Sequence, residues 1–168
     1  MSFVYTGIGV SQKDNLIEAA REAAELSKKE LGENKKPKLL MFFCLFTYPK
    51  DQYKKAIEEV YKVFEDDKIP LVGGSVIGFF AKDKYYFDVR LAGKAAGFLM
   101  QGLGKVLKPF NFQGVSLIAL SSDYLKVGVG IGLDADKNPE KAGKESIVQA
   151  LDNSQYNPSV AYLAMLKK

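Results

Sequence analysis

Strand-like apolar runs alternate with amphipathic helical patterns along the first half of the chain. Residues 3–10 are β-rich, and residues 14–31 carry apolar side chains at helical spacing. The run 38–47 is apolar without alternation, as in a strand covered on both faces, and a second helical stripe follows Pro49. Strands alternating with helices form α/β layers. The sequence therefore predicts an α/β fold with a mixed, largely parallel sheet and flanking helices.

Punctuating residues predict where these elements begin and end. Ser11 with Asp14 three residues later is a helix-start pattern, and Gly32 supplies a C-terminal stop. Pro70 opens a short strand that is expected to end at the turn Gly73-Gly74-Ser75. The first and third predicted strands would thus each pass through a glycine turn into the next element.

The pattern changes after Gly78. Residues 78–81 and 85–89 flank Lys82-Asp83-Lys84, which predicts a hairpin. The apolar segment 91–107 contains two lysines and is too short for a membrane span, so we expect a close-packed helix there. Residues 114–121 and 124–133 predict two further strands.

Part of the chain resembles its own beginning, with repeat units at about 3–48 and 124–168. Aligning Gly130-Ile131-Gly132-Leu133 with Gly7-Ile8-Gly9-Val10 places Ala142 on Ala19 and Glu145 on Glu22. Pro158 then falls on Pro37, and the apolar run 160–164 falls on a predicted strand. The alternative is a coincidence between two α/β units. We expect residues 1–168 to form a single α/β domain. If the repeat is real, its second copy stops after the second strand, which would make the chain part of a longer protein.

Histidine is absent, which excludes Ser-His-Asp and Cys-His nucleophile systems. The single Cys44 lies in an apolar run and is expected to be a buried small hydrophobe. The N-terminus leads straight into a glycine-rich segment without a signal-peptide pattern, which predicts a cytoplasmic protein.

The formal net charge of +4 raises the question of nucleic-acid binding. Charges of both signs are mixed along the first helical pattern, and only Lys35-Lys36-Pro37-Lys38 forms a small basic run. This distribution is typical of a solvated surface, so no nucleic-acid partner is predicted.

Three glycine-rich segments are candidates for holding an anion through backbone N–H groups at a helix N-terminus: 7–11, 73–76 and 128–132. The alternative is that these glycines only permit tight turns or strand bends. None completes a dinucleotide fingerprint or a phosphate loop, so no cofactor is predicted. Asp134 with Asp136, and Asp66 with Asp67, would suit magnesium, but aspartate is equally common at turns, and no metal is predicted.

Several segments share the order of a known family: 4–11, the Ala-rich stretch 18–24, 39–46, the helix after Pro49, 69–78, 115–120 and 127–130. Their most specific element is Gly73-Gly74-Ser75-Val76-Ile77-Gly78. Together they resemble the N-terminal part of the FIST family. Two departures are the segment 91–107, which looks like an insertion, and the missing C-terminal half of the family.

The resemblance implies an intracellular sensory domain that binds a small ligand, such as an amino acid or another carboxylate, and signals to a partner domain. Ligands of open α/β sheets lie outside the carboxyl ends of the strands. We therefore predict that backbone N–H groups of the glycine turns hold the anionic group, with side-chain hydrogen bonds from Ser11, Tyr48 and Ser75. The predicted ligand-binding residues are Gly7, Gly9, Ser11, Tyr48, Gly73, Gly74, Ser75 and Gly78.

Two rival functions come from other classes. An enzyme acting on a phosphorylated or carboxylated metabolite would use Asp134, Asp136 or a lysine in a polar pocket. An assembly module would use the apolar segment 91–107 as the contact of a homo-oligomer.

Overall fold

The computed structural model describes residues 4–32, 34–82, 84–87 and 113–154. The chain divides into two compact units, Met1–Ser121 and Ser122–Lys168, each of which is described by itself. The elements of the first unit are β1 (Tyr5–Ser11), α1 (Leu16–Leu31), β2 (Leu39–Leu45), a 3-10 turn (Lys50–Gln52), α2 (Tyr53–Phe64), β3 (Leu71–Val76), β4 (Gly78–Ala81), β5 (Lys84–Phe87) and β6 (Val115–Ser121). The second unit contains α3 (Pro139–Asn153).

Four strands of the first unit form a mixed sheet in the order β1-β6-β2-β3. Strand β2 pairs with β3 in parallel, whereas β6 is antiparallel to both of its neighbours, β1 and β2. Strands β1, β2 and β3 therefore run in one direction. Strand β6 lies between β1 and β2 and runs in the opposite direction. The predicted α/β fold with a mixed sheet and flanking helices is confirmed.

Helix α1 begins at Leu16 because Asn15 caps it. The Asn15 side-chain oxygen accepts hydrogen bonds from the backbone N–H groups of Ile17 and Glu18 at 2.9 and 3.3 Å. The helix-start signal assigned to Ser11 was wrong, since Ser11 lies in β1. Gly32 ends the helix as predicted: its φ is 99°, and its N–H donates to the Lys28 carbonyl at 3.1 Å.

Helix α1 lies directly on β1 because two strand residues have no side chain. A Cβ on Gly7 would lie 2.1 Å from the Ser27 carbonyl oxygen, and one on Gly9 would lie 1.8 Å from that of Ala23. Both distances are far inside van der Waals contact. Glycine is therefore required at each position for the helix to approach the sheet this closely.

The main core lies between one face of the sheet and the two helices. Helix α2 contributes Ala56, Val60 and Phe64 from its predicted apolar stripe. Strand β2 contributes every second residue, Leu40, Phe42 and Cys44, while the residues between them are only half-buried. Strand β2 is therefore covered on both faces, as expected, but more completely on the face toward the helices.

Residues 71–87 differ in part from expectation. The hairpin of β4 and β5 is confirmed as an antiparallel pair. The predicted turn at Gly73-Gly74-Ser75 was wrong, because these residues lie inside β3 and pair with β2. The segment 91–107 lies outside the described residues. Among the described helices, none has the length and apolar character needed to cross a bilayer.

In the second unit, α3 begins after Asn138, whose side chain accepts a hydrogen bond from Lys141 N–H at 3.1 Å. The strand predicted over residues 124–133 was wrong, since no strand pairing is formed there among the described residues. Pro158 and the run 160–164 of the predicted repeat lie outside the described residues.

Three alternate glycines of this segment nevertheless contact α3 in regular order. A Cβ on Gly128, Gly130 or Gly132 would lie 1.7–1.9 Å from the carbonyl oxygens of Ala150, Ser146 and Ala142, respectively. Two residues of the segment therefore match four residues of helix, about 6 Å along its axis. That rise is close to the value for a fully extended chain. The segment is thus extended and runs antiparallel to α3.

Candidate functional site

Two predicted site residues lie in one row across the sheet, on the face covered by the helices. Ser11 at the end of β1 pairs with Val115, Val115 pairs with Cys44, and Cys44 pairs with Ser75. We call Ser11, Val115, Cys44 and Ser75 the carboxyl-end row. Three strand spacings separate its two serines, roughly 14 Å. Ser11 and Ser75 therefore lie at the same end of the sheet, where β1, β2 and β3 terminate, but they are too far apart to bind one carboxylate together.

The Ser11 hydroxyl is already engaged within the protein. Its side chain is 3% exposed, and its Oγ donates a hydrogen bond to the Glu22 carboxylate. The ammonium of Lys13 lies 3.9 Å from the same carboxylate. A negative charge next to Ser11 opposes the binding of an anionic ligand there.

Tyr48 is likewise bound within the protein. Its side chain is buried, and its hydroxyl donates to the Lys13 carbonyl at 2.8 Å. Burial, with smaller contributions from Cys44 and Asp14, raises the pKa of Tyr48 above the ordinary tyrosine value. The phenol is therefore neutral at physiological pH and holds the β1–α1 connection through its hydrogen bond.

Tyr53, which the sequence analysis did not single out as a site residue, connects the rest of the row. Its side chain interacts with those of Cys44 and Ser75, and its pKa is raised to about 12, mainly by burial. Burial also raises the pKa of the Cys44 thiol. A thiol held neutral in this way is a poor nucleophile. At the β2–β3 end of the carboxyl-end row, the groups next to Tyr53 are therefore neutral, whereas Ser11 at the other end bonds the Glu22 carboxylate.

The predicted glycines occupy strands rather than ligand-binding turns. Gly7 and Gly9 pair with β6 and are covered by α1. Gly73 pairs with Phe42 and has a φ of 151°, and a Cβ there would lie 1.7 Å from the Phe42 carbonyl oxygen. Gly74 is exposed with open space around its Cα, and Gly78 begins β4. The prediction that turns at a helix N-terminus present these amides was wrong.

A polar cavity lies at the other end of the same sheet. It has a volume of about 390 Å³ and is lined by Lys28, Lys35, Lys36, Pro37, Phe64, Glu65, Asp66 and Ile69. We call it the lysine cleft. Its wall of lysines comes from the end of α1 and the α1–β2 connection, and its carboxylates follow α2. The basic run 35–38 was the sequence signal for it, but nothing in the sequence paired that run with residues 64–69.

The charges in the lysine cleft are only partly neutralised by one another. The Lys28 ammonium contacts the Glu65 carboxylate at 3.0 Å and the Val63 carbonyl at 2.7 Å. The Lys35 ammonium lies 3.8 Å above the centre of the Tyr5 ring. Neither the Lys36 ammonium nor the Asp66 carboxylate forms an ion pair among the described residues. Within the described part of the chain, the Lys36 ammonium and the Asp66 carboxylate thus have no partner of opposite charge, although Asp66 accepts a backbone hydrogen bond from Lys68.

The aspartates considered for metal binding form separate contacts and do not gather around one point. Asp134 forms an ion pair with Lys137 at 3.1 Å, and Asp66 accepts a hydrogen bond from the Lys68 backbone N–H at 2.9 Å. Within the described residues, no group of three or more His, Cys, Asp or Glu side chains is arranged to hold a metal ion.

No family model and no curated protein matches this sequence. Similar solved structures include an empty FtsZ dimer from M. jannaschii, with a TM-score of 0.36 and 11% identity over 74% of this chain. A tryptophan-to-tyrosine mutant of FtsZ from M. jannaschii has a TM-score of 0.38 and 9% identity, also over 74% of this chain. The match spans 28% and 29% of those two chains. At these values the likeness carries no argument about function.

Proposed function

We propose that the first unit binds a small zwitterionic carboxylate, such as an amino acid, in the lysine cleft. In this proposal the protein is a cytoplasmic sensory module that signals to a partner domain, as the resemblance to the FIST family predicts. The observation that supports it most is the presence in one cavity of an ammonium, Lys36, and a carboxylate, Asp66, that form no ion pair with any described residue. The proposed ligand class is the one predicted from the sequence, but the proposed site lies at the opposite end of the sheet from the carboxyl-end row.

The chemistry of the cleft suits both ends of a free amino acid. The ligand carboxylate would lie against Lys36 and Lys35, and its ammonium would lie against Asp66. Phe64 and Ile69, which are nearly buried, provide an apolar floor for a side chain. Volumes of about 300–1,000 Å³ are typical of small-molecule sites, so a cleft of about 390 Å³ is of suitable size.

A ligand in the cleft would join two separate connections of the fold. Lys36 lies between α1 and β2, while Asp66 lies between α2 and β3. A ligand that contacts both would favour the arrangement in which they are close together. Such a differential affinity is what shifts a population toward one signalling state.

The test is a thermal-shift and calorimetry screen of the purified chain against free amino acids. A ligand that binds only the native state raises the melting temperature. We expect a shift with free amino acids and little with their N-acetyl derivatives or methyl esters, which each lack one charge. Lys36→Ala and Asp66→Asn should each reduce the affinity at least tenfold. Lys55→Ala, an exposed lysine on α2 outside the cleft, is the matched control.

The outcomes separate the alternatives. No shift with any amino acid would overturn the proposed ligand class. A shift that is lost in Ser75→Ala but kept in Lys36→Ala would move the site to the carboxyl-end row and overturn the assignment to the cleft. Shifts with nucleotides or divalent metals alone would favour the enzyme hypothesis instead.

A further inference from the structure

The two sides of the lysine cleft carry opposite charges in unequal numbers. One side carries the ammonium groups of Lys28, Lys35 and Lys36. The other side carries the carboxylates of Glu65 and Asp66. The lining residues therefore have an excess of one positive charge. A zwitterion has no net charge and would leave this excess in place, whereas a ligand with one net negative charge would balance it.

The adjacent residues Lys35 and Lys36 supply the excess. The Lys35 ammonium lies 3.8 Å above the centre of the Tyr5 ring. An aromatic ring attracts a cation but has no net charge, so this contact holds Lys35 without neutralising it. Lys35 and Lys36 both line the cleft, and two cations there repel each other. A carboxylate bound between them would offset that repulsion.

Lys28 joins the two sides of the cleft through an ion pair that a ligand can replace. Its ammonium contacts the Val63 carbonyl at 2.7 Å and the Glu65 carboxylate at 3.0 Å. The Glu65 side chain is 81% exposed, and an ion pair with so exposed a partner contributes little stability. A ligand carboxylate can therefore take the place of Glu65, while the Val63 carbonyl keeps the Lys28 ammonium in position.

We infer that the ligand of the lysine cleft is an acidic amino acid, with two carboxylates and one ammonium, an inference that rests on the proposed function. Its first carboxylate lies against Lys35 and Lys36, and its ammonium lies against Asp66. Its second carboxylate replaces Glu65 as the partner of Lys28. The occupied cleft then contains four positive and four negative charges.

The apolar floor of the cleft favours this ligand over an inorganic anion. Phe64 and Ile69 line the cleft and are 8% and 6% exposed. The methylene groups between the two carboxylates of an acidic amino acid can contact this floor, and the area that they remove from water adds to the affinity. Inorganic phosphate would meet the lysines but has no apolar part to place on the floor.

Isothermal titration calorimetry on the full chain tests this inference. We compare glutamate with glutamine, which has the same shape but a neutral side chain, and with glutarate, which has both carboxylates but no ammonium. Glutamate should bind about tenfold more tightly than either, because each of them lacks one charged contact. Aspartate and asparagine repeat the comparison for a shorter side chain. Inorganic phosphate should bind more weakly than glutamate.

Two variants with opposite effects locate the second carboxylate. Lys28→Gln should lower the affinity for glutamate about tenfold and leave that for glutamine unchanged, because only the second carboxylate uses Lys28. Glu65→Gln removes the competing carboxylate and should raise the affinity for glutamate about threefold. Lys29→Gln and Glu58→Gln make the same changes at exposed positions outside the cleft and should alter neither affinity. Circular dichroism checks that each variant is folded.

The outcomes distinguish this inference from the proposed function. Equal binding of glutamate and glutamine, and of aspartate and asparagine, would overturn the acidic ligand and leave the amino-acid site intact. Equal effects of Lys28→Gln and Lys29→Gln, or a weaker binding of glutamate to Glu65→Gln, would overturn the second contact. If no amino acid binds, or if glutarate or phosphate binds as tightly as glutamate, the proposed function itself fails.

Discussion

Helix α1 on β1 and helix α3 on residues 125–133 are built by the same contact. Gly7 and Gly9 touch the carbonyls of Ser27 and Ala23 in the first case. Gly128 and Gly130 touch those of Ala150 and Ser146 in the second. The repeat alignment places Ser27 on Ala150, but it pairs Gly7 with Gly130. In the structure, the glycine that contacts Ala150 is Gly128, so Gly128 is the counterpart of Gly7. The glycines are therefore shifted by two residues from the predicted alignment.

The two regions differ in what surrounds this contact. Strand β1 pairs with β6, and α1 buries seven of its residues in the core. Helix α3 buries only Ala142, and Ile131 and Leu133 beside it are mostly exposed. Alternate glycines therefore specify how closely a helix approaches an extended segment. The burial that stabilises a domain depends on the strands beyond that segment.

The largest effect should come from filling the first glycine contact. Gly9→Val would place its Cβ against the Ala23 carbonyl oxygen, which cannot move without displacing α1. We expect the free energy of unfolding to fall by about 4 kcal/mol, measured by urea denaturation. Gly130→Val makes the equivalent clash with Ser146 and should disturb α3 with little effect on the unfolding of the first unit.

Gly74 is the matched control for that experiment. It lies in a strand like Gly9, but an added Cβ would meet no atom within 4 Å. Gly74→Val should change the free energy of unfolding by less than about 0.5 kcal/mol. A loss equal to that of Gly9→Val would contradict the close-approach explanation.

The second prediction compares the apolar side chains of the two regions. Leu117 of β6 is fully buried between the sheet and the helices, and Leu117→Ala should lower the free energy of unfolding by about 3 kcal/mol. Ile131→Ala removes a similar volume from an exposed position and should cost less than about 0.5 kcal/mol. Equal losses would mean that the segment 125–133 is buried in the native chain.

Most helices and strands of the first unit were predictable from local sequence, but the roles of its glycines and the order of its strands were not. Capping at Gly32 and the apolar stripe of α2 predicted helices in nearly the observed positions. Alternating Gly7 and Gly9 suggested a turn, whereas they lie in a strand because α1 must pack against it. Nothing local shows that β6, far along the chain, inserts between β1 and β2. Such pairing depends on contacts between distant residues.

The third prediction concerns a hydrogen bond that one region has and the other lacks. The buried Ser27 hydroxyl donates to the Gly7 carbonyl at 2.9 Å, while the corresponding Ala150 has no such donor. Ser27→Ala should lower the free energy of unfolding by about 1 kcal/mol. Ser146→Ala is the control, because its exposed hydroxyl bonds only within its own helix, to Gly143. An unchanged stability in Ser27→Ala would show that close packing alone holds α1.

The candidate site was predictable in chemistry more than in place. The sequence shows the serines, the tyrosine and the basic run 35–38. The ligand class is implied by the resemblance to the FIST family and stays a prediction. The partners of these groups depend on tertiary packing. The Glu22 carboxylate accepts a hydrogen bond from Ser11, and the Tyr53 side chain interacts with Ser75. The lysine cleft needs residues from two connections that meet only after α1 and α2 pack together. The sequence pattern alone therefore does not predict that these two connections lie close together.

The smallest effect should come from the charged contact between α1 and α2 of the first unit. Among the described residues, the second unit has no second helix that could make such a contact with α3. Glu59 on α2 bonds Arg21 of α1 at 2.8 Å and Lys62 at 2.7 Å. Lys62 and then Arg21 lower the pKa of Glu59 below the ordinary value of 4.5. A carboxyl whose pKa is depressed on folding stabilises the native state above its unfolded pKa, and this stabilisation is lost as the pH falls through the folded value.

Glu59→Gln should therefore lower the urea midpoint slightly at pH 7, and the difference from the wild type should shrink as the pH falls through the folded pKa of Glu59. Added salt should reduce the difference at pH 7, because both partners of Glu59 are largely exposed. Glu58→Gln is the control, since this neighbour on α2 is exposed and forms no ion pair among the described residues. A Glu59→Gln difference that stays constant as the pH is lowered would trace to packing of the side chain rather than to its charge.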